Sequence, residues 1–259
     1  MNVTSSLPVT QNLLTESIST DYFKLENIIT SKKYIFDENY PFPTEVKLVS
    51  NQEILEEKIK YVYPSSGTLK SQNRIAVPLK IETFKNNKIL SSQNYIYKDY
   101  NGLYLPEKIK SSKGDQQLED KVIYHNYDHK GNPLQVSKAN GIRIVYLWGY
   151  NYTQPVAKIE NATYAEVMDV LDKQTNDDLS YLQSFTEREI QAEIQKIRTG
   201  LSNSQVTTYT YKPLIGISSI TDPRGKKITY HYDNFNRLEF VKNNNGKILK
   251  ENIYHYKNK

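Results

Sequence analysis

Through most of the chain, apolar and polar positions alternate. In ITYHYD (Ile228 to Asp233), Tyr230 and Tyr232 share one face and His231 and Asp233 the other, the period of two that marks a β-strand. DNFNRL then reads as a turn, LEFVKN as a second strand and NNNGK as another turn, because Asn and Gly reach positive φ at low steric cost. This predicts a β-hairpin with aromatic residues on one side. A stretch between Thr163 and Gly200 departs from the alternation. Ile190, Ile194, Ile197 and Leu201 fall at i, i+4, i+7 and i+11, one apolar stripe of a helix. Thr163/Glu166 and Thr186/Glu189 have capping-box spacing, Thr175/Asp178 is a weaker version, and Gly200 suits a C′ stop. Two or three short helices are predicted, as a packing element or plug on the sheet in preference to a partner-binding hairpin. If they are an add-on, a short linker in place of residues 163–200 should leave the sheet intact.

The hairpin phrase recurs. KYVYPSSGTL begins at Lys60, NYIYKDYNGLYLP at Asn94, VIYHNYDHKGNPLQV at Val122, TYTYKPLIGI at Thr208 and ITYHYDNFNRLEFV at Ile228. NIYHYKNK opens like a further copy. A longer self-match aligns Pro43 to Tyr61 with Pro106 to Tyr124 at an offset of 63 residues, pairing Leu55 with Leu118 and Tyr61 with Tyr124. Such spacing marks a repeat architecture. A lone hairpin is marginal in water, so the copies must stack into one sheet. The fold class expected is mainly β: stacked antiparallel hairpins in a curved sheet or partial shell, with a small helical insertion. Stacked copies have open outer strands, so the isolated chain is expected to be marginally stable or to self-associate through them.

Composition agrees with many strands and turns. Tyr occurs 22 times against 7 Phe and 1 Trp, and its ring and hydroxyl suit a half-wet pleated surface. With no Cys, disulfides, thiol catalysis and thiolate metal sites are excluded. No apolar run nears the roughly 20 residues of a membrane span, and the first residues lack the pattern of a signal peptide. The net charge is +5, but Glu160 to Arg198 holds nine acidic and four basic residues.

YDHKGNPLQVSKANG (Tyr127 to Gly141) and YDNFNRLEFVKNNNG (Tyr232 to Gly246) resemble the YD repeat of Rhs-family proteins. The matching positions are Tyr127, Asp128, Gly131, Asn132, Leu134 and Gly141 in one copy, and Tyr232, Asp233, Arg237, Leu238 and Gly246 in the other. Asn236 replaces a Gly and also tolerates the left-handed conformation. SITDPRGKKITYHYD (Ser219 to Asp233) reads as a linker between copies. The resemblance implies a hollow β-shell of stacked repeats, often enclosing a toxin or belonging to a surface protein. It further implies a non-enzymatic segment of a secreted or cell-surface parent, with adjoining repeats, a toxin cargo, or a surface glycan or protein as partners. Residues 1–160 are expected to hold degenerate and YD-type hairpins, 161–203 the helical insertion and 204–259 the last repeats.

Candidate chemistry is sparse. His125, His231 and His255 each follow the first Tyr of a repeat start, and one active site does not need three separated copies, so no metal and no cofactor is expected. Glu56-Glu57 and Asp177-Asp178 are sequence neighbours that point to opposite faces of a strand, and read as solvated edge charges. Tyr–Lys interleaving would suit single-stranded nucleic acid, but the repeats favour a wall, with no nucleic acid. The alternative function is a glycan- or protein-binding module using the Tyr-rich sheet or the acidic helices. No catalytic residue is expected.

Overall fold

The computed structural model describes residues 12–23, 27–38, 40–50, 53–62, 67–139, 141–177 and 179–254. Sixteen strands lie in one antiparallel sheet that does not close, and their order is their order in sequence. By contacts the chain divides into two units, residues 1–98 with 108–121, and residues 99–107 with 122–259.

In the first unit run β1 (Glu16–Tyr22), β2 (Asn27–Phe36), β3 (Pro43–Ser50), β4 (Glu53–Tyr61) and β5 (Pro78–Lys85), with most of β6 (Lys88–Tyr100). A single helical turn, α1 (Thr68–Ser71), lies between β4 and β5. Cross-strand charges knit one face. The register sets Lys33 opposite Lys47, Lys47 opposite Glu56 and Lys58 opposite both Glu45 and Glu82. Lys33 pairs across the sheet with Glu16 at 3.6 Å and Lys47 with Glu56 at 3.9 Å, while Lys58 with Glu56 (3.3 Å) and Lys80 with Glu82 (2.8 Å) pair along one strand. Opposite charges across a pleat each add a few tenths of a kcal/mol, up to about 1. The expectation of solvated edge charges fails at Glu56, which is buried between Lys47 and Lys58. A hydrogen bond with Glu56 raises the carboxyl pKa of neighbouring Glu45. Strand register, not sequence adjacency, decides which carboxylates meet.

Beyond β7 (Leu103–Lys113) and β8 (Glu119–Tyr127), the second unit holds β9 (Pro133–Lys138), β10 (Arg143–Gly149) and β11 (Gln154–Glu160). Two helices follow, α2 (Tyr164–Val170) and α3 (Glu187–Gly200), with a 3-10 turn at Ser180–Gln183 between them. Then come β12 (Gln205–Lys212), β13 (Gly216–Thr221), β14 (Lys227–Tyr232), β15 (Leu238–Lys242) and β16 (Ile248–Glu251). Both strong capping boxes are present. Thr163 and Thr186 accept from the backbone N–H of Glu166 and Glu189, whose carboxylates accept in return from the Thr backbone N–H. The weaker box falls partly outside the described residues, at Asp178.

The main core lies between these helices and the sheet. Val145, Leu147, Val156, Ala157, Ile159 and Val206 meet Tyr164, Val167, Met168, Leu171, Leu182, Ile190, Ile194 and Ile197, all buried. The apolar stripe read from the sequence is thus the buried face of α3. Gly200 is not the C′ stop. It is the last residue of α3, and a Cβ there would stand 2.9 Å from Cγ1 of Val170. Its smallness lets α3 approach α2.

Candidate functional site at the tyrosine–aspartate edge

One turn is built repeatedly. Asp128 accepts at Oδ1 from the N–H groups of Lys130 (2.9 Å) and Asn132 (2.8 Å). Its own N–H donates to the Asn132 carbonyl, and the Gly131 N–H donates to the Asp128 carbonyl. Asp233 does the same with Phe235 (2.8 Å) and Arg237 (3.0 Å), Asp222 with Arg224 (2.9 Å) and Lys226 (2.8 Å), and Asn243 with Asn245 and Lys247 (both 3.0 Å). The fourth residue is always left-handed: φ is 86° at Gly131, 78° at Gly225, 60° at Asn236 and 77° at Gly246. This is a type I turn closed by a left-handed residue, with the Asx side chain satisfying two otherwise unpaired donors. Lys138 and Gly141 form the same backbone loop without the side-chain bonds, with φ 79° at Gly141.

The fifth residue adds a side-chain contact in two copies. Asn132 Nδ2 donates to Asp128 Oδ2 at 2.9 Å and to the Tyr152 carbonyl at 2.8 Å. Arg237 Nε donates to Asp233 Oδ2 at 2.7 Å, and its guanidinium lies over the Tyr254 ring at 4.2 Å. The Arg237 bond holds the Asp233 carboxyl below its ordinary pKa.

The residue before each such turn does different work. Tyr127 donates its hydroxyl to the Pro106 carbonyl (2.6 Å) and Tyr232 to that of Ile217 (2.9 Å). The same contact joins Tyr61 to Pro43 (3.1 Å), Tyr97 to Pro78 (3.3 Å), Tyr211 to Pro155 (3.1 Å) and Tyr254 to Leu238 (3.0 Å). Trp148 makes it with its indole N–H to Pro133 at 3.0 Å. Except for Tyr97, three residues before the end of β6, the aromatic sits at or near the end of an even-numbered strand, and it reaches back to the first or second residue of the odd-numbered strand before it, or in β7 to the fourth. Proline fits there because it has no N–H to leave unpaired, and the aromatic donor satisfies its carbonyl.

Six aromatics near even-strand ends also face forward. Phe36 lies opposite Pro43, Tyr61 opposite Pro78, Tyr127 opposite Pro133, Trp148 opposite Pro155, Tyr211 opposite Ile217 and Tyr232 opposite Leu238. The register shifts by one residue at every one of these places. The residue that bulges is the one after the faced residue, such as Leu134, Val156, Ser218 and Glu239. In β3, β5, β9, β11, β13 and β15 the residue faced by one aromatic is therefore also the one hydrogen-bonded by the next.

This is one antiparallel sheet of stacked hairpins. No family model matches the sequence, and no curated protein matches it. Among solved structures, the Photorhabdus luminescens Tc holotoxin pore is 10% identical with a TM-score of 0.42, over 92% of this chain and 12% of that one. The TcdB2–TccC3–Cdc42 complex is 12% identical with a TM-score of 0.36, over 89% and 10%. The TcdB2–TccC3 complex is 11% identical with a TM-score of 0.37, over 87% and 12%. This chain spans about a tenth of the length of these chains.

The structure places the motif residues at three jobs. Tyr127 and Tyr232 are cross-strand donors, Asp128 and Asp233 build turns, and Gly131, Gly141 and Gly246 take left-handed positions. Leu238 occupies the place that Pro133 holds in the other copy, while Leu134 is one residue further on, at the bulge. The self-match also needs correcting. Pro106 corresponds to Pro43, but the donor equivalent to Tyr61 is Tyr127, not Tyr124. Residues 114–118 join β7 to β8 where only 51–52 join β3 to β4, and the longer connection displaces the aromatic.

The histidines are dispersed. His125 Nε2 contacts Ser137 Oγ at 2.9 Å, and burial lowers its pKa. His129 meets the Tyr152 ring edge-on, and His231 stacks on Phe240. His255 lies outside the described residues. Among the described residues no three His, Asp or Glu side chains form a metal-holding group.

Buried and exposed turns should differ in cost. Asp128 is 8% exposed, and Asp128→Ala would strand two N–H groups and the Asn132 amide, at about 1–3 kcal/mol. Asp222→Ala, with the same backbone bonds in an exposed turn, should cost about 1 kcal/mol or less, because water replaces the carboxylate. Denaturant unfolding of both variants tests this, and equal losses would contradict the assignment.

Proposed function

We propose that the chain is a non-enzymatic structural segment of an Rhs-like protein, a stretch of scaffold or shell wall in a secreted or cell-surface parent. One observation carries this reading: the same donor, bulge and turn recur at the same place along the sheet. A wall needs repetition of geometry, whereas catalysis needs a unique convergence. Tyr127, Asp128, Gly131, Asn132, Leu134, Gly141, Tyr232, Asp233, Arg237, Leu238 and Gly246 act in this reading as architecture. Its partners are adjoining repeats of the same or a neighbouring chain, with a toxin cargo as the enclosed class.

A second reading has its own support. The sheet face turned away from the helices has a groove of about 390 Å³ lined by Val122, Tyr124, Ile144, Tyr146 and Trp148. Aromatic rings on an open face suit a sugar ring or a protein side chain. A glycan array with the purified chain separates the two. The scaffold reading expects no selective ligand, while saturable binding of one glycan, lost in Tyr146→Ala, would replace it with the binding-module reading.

A further inference from the structure

The staircase of aromatics is incomplete at both outer strands, and the two incomplete steps fit each other. Among the described residues, β16 is paired with β15 alone and β1 with β2 alone. Tyr254 reaches back to Leu238 as Tyr61, Tyr127, Tyr211 and Tyr232 reach back to their strands, and no described odd strand lies opposite it. At the other end, the β1–β2 register (Glu16 opposite Lys33, with the Tyr34 N–H donating to the Thr15 carbonyl) brings Leu14 to the place that Pro43 and Pro78 hold. Among the described residues no aromatic faces Leu14 from an earlier strand.

Both outer strands are also apolar where they are bare. Leu14 is 62% exposed, Ile18 66%, Leu249 54% and Ile253 70%. Between Glu16 and Tyr22 there is no Pro, Lys or Arg, so of the devices that keep an edge from pairing β1 carries only the acidic side chains of Glu16 and Asp21. Asp21 on β1 and Lys250 on β16 supply opposite charges.

We propose that β1 of one copy of this chain pairs with β16 of another and continues the staircase across the junction, an inference that rests on the repeat-scaffold reading. The six observed steps fix the register. Leu14 lies opposite Tyr254, Thr15 bulges as Thr44 and Leu134 do, and Glu16 lies opposite Ile253. Ile18 then faces Glu251, Ser19 faces Lys250 and Asp21 faces Ile248. Asp21 and Lys250 share a face as diagonal neighbours, within reach of a long side chain. The contact is head to tail, so it grows beyond a dimer unless the rotation closes a ring.

The chain has no Cys, which permits a clean test. The Ser19→Cys and Lys250→Cys variants of the 259-residue chain are prepared separately, shown to keep the parent circular dichroism, mixed and mildly oxidised. Residues directly opposite lie within disulfide reach. A mixed cross-linked dimer is expected, several-fold above that formed when Thr20→Cys, which points to the other face, replaces Ser19→Cys. Sedimentation velocity of the unmodified chain should show mass rising with concentration. Equal yields from the two mixtures, or none, would overturn the proposal. So would a chain carrying both Cys that cross-links as a monomer, because its own β1 would then occupy β16. A selective glycan on the array alongside the expected cross-link would sink the scaffold reading and leave this pairing standing.

Discussion

Joining Ala162 to Leu201 by a short Gly/Ser linker, with α2 and α3 removed, is expected to unfold the unit that contains β9 to β12. The sequence pattern suggested an add-on, but most of the fully buried apolar side chains lie in this layer. Ile194, Ile197, Val167 and Met168 are each at most 1% exposed. Burying one such side chain contributes about 1.5–3 kcal/mol, so losing the layer exceeds the roughly 5–15 kcal/mol by which domains are stable. The excision would also bare Val145, Leu147 and Ile159, and an exposed apolar sheet face aggregates. Ile194→Ala is a graded version, expected to cost about 2–5 kcal/mol. Near-ultraviolet circular dichroism and denaturant melts read both. A soluble excised chain with a cooperative transition would show that the sheet stands without its helices.

The cross-strand donors give the second large effect. Tyr127→Phe, Tyr211→Phe and Tyr232→Phe together keep every ring and delete three hydroxyls. Each leaves a strand carbonyl unpaired, at about 1 kcal/mol or somewhat more; Tyr127 shares no partner with the other two and adds to them, while Tyr211 and Tyr232 meet at Ile217 and couple. A combined loss of about 3–5 kcal/mol is expected in urea unfolding. The same bonds predict a response to alkali. Burial, with Tyr209 and Tyr150 nearby, pushes the Tyr211 phenol up to about 12, and burial also raises Tyr232 and Tyr61. A folded pKa above the ordinary value of about 10 means stability is fully present below pH 10. It is lost as pH rises towards 12, because a phenolate cannot donate. The triple variant should lose less stability between pH 10 and 12 than the parent does. An identical alkaline slope in both would remove the hydroxyls from the account.

Much of this was legible in the sequence, for local reasons. Tyr-Asp followed by a Gly or Asn three residues after the Asp specifies a turn within five residues, and the turns at Asp128 and Asp233 follow the motif. The turn at Asp222 was read as linker, although Asp-Pro-Arg-Gly carries the same Asx-to-Gly spacing without the Tyr. The bond from each Tyr to a strand-start Pro was missed altogether. Its partners are 15 to 21 residues apart in most copies and 56 apart at Tyr211 and Pro155. Proline there looked like punctuation. A Pro at or near the start of β3, β5, β7, β9 and β11, answered by an aromatic near the end of the next strand, was the available signal. The helices were legible from their caps and stripe, but their weight in the core depended on β10 to β12 facing them, which no local pattern records.

The bond between each aromatic and its strand start also explains a tolerance. Two residues join β3 to β4, while residues 62–77 join β4 to β5 and 161–204 join β11 to β12. At the strand ends these connections share, the aromatic still finds the first residue of the strand before it. Each hairpin therefore resets its own alignment and does not inherit it from the loop. An insertion or loss in a connection stays a local error and is not copied into the next pair of strands.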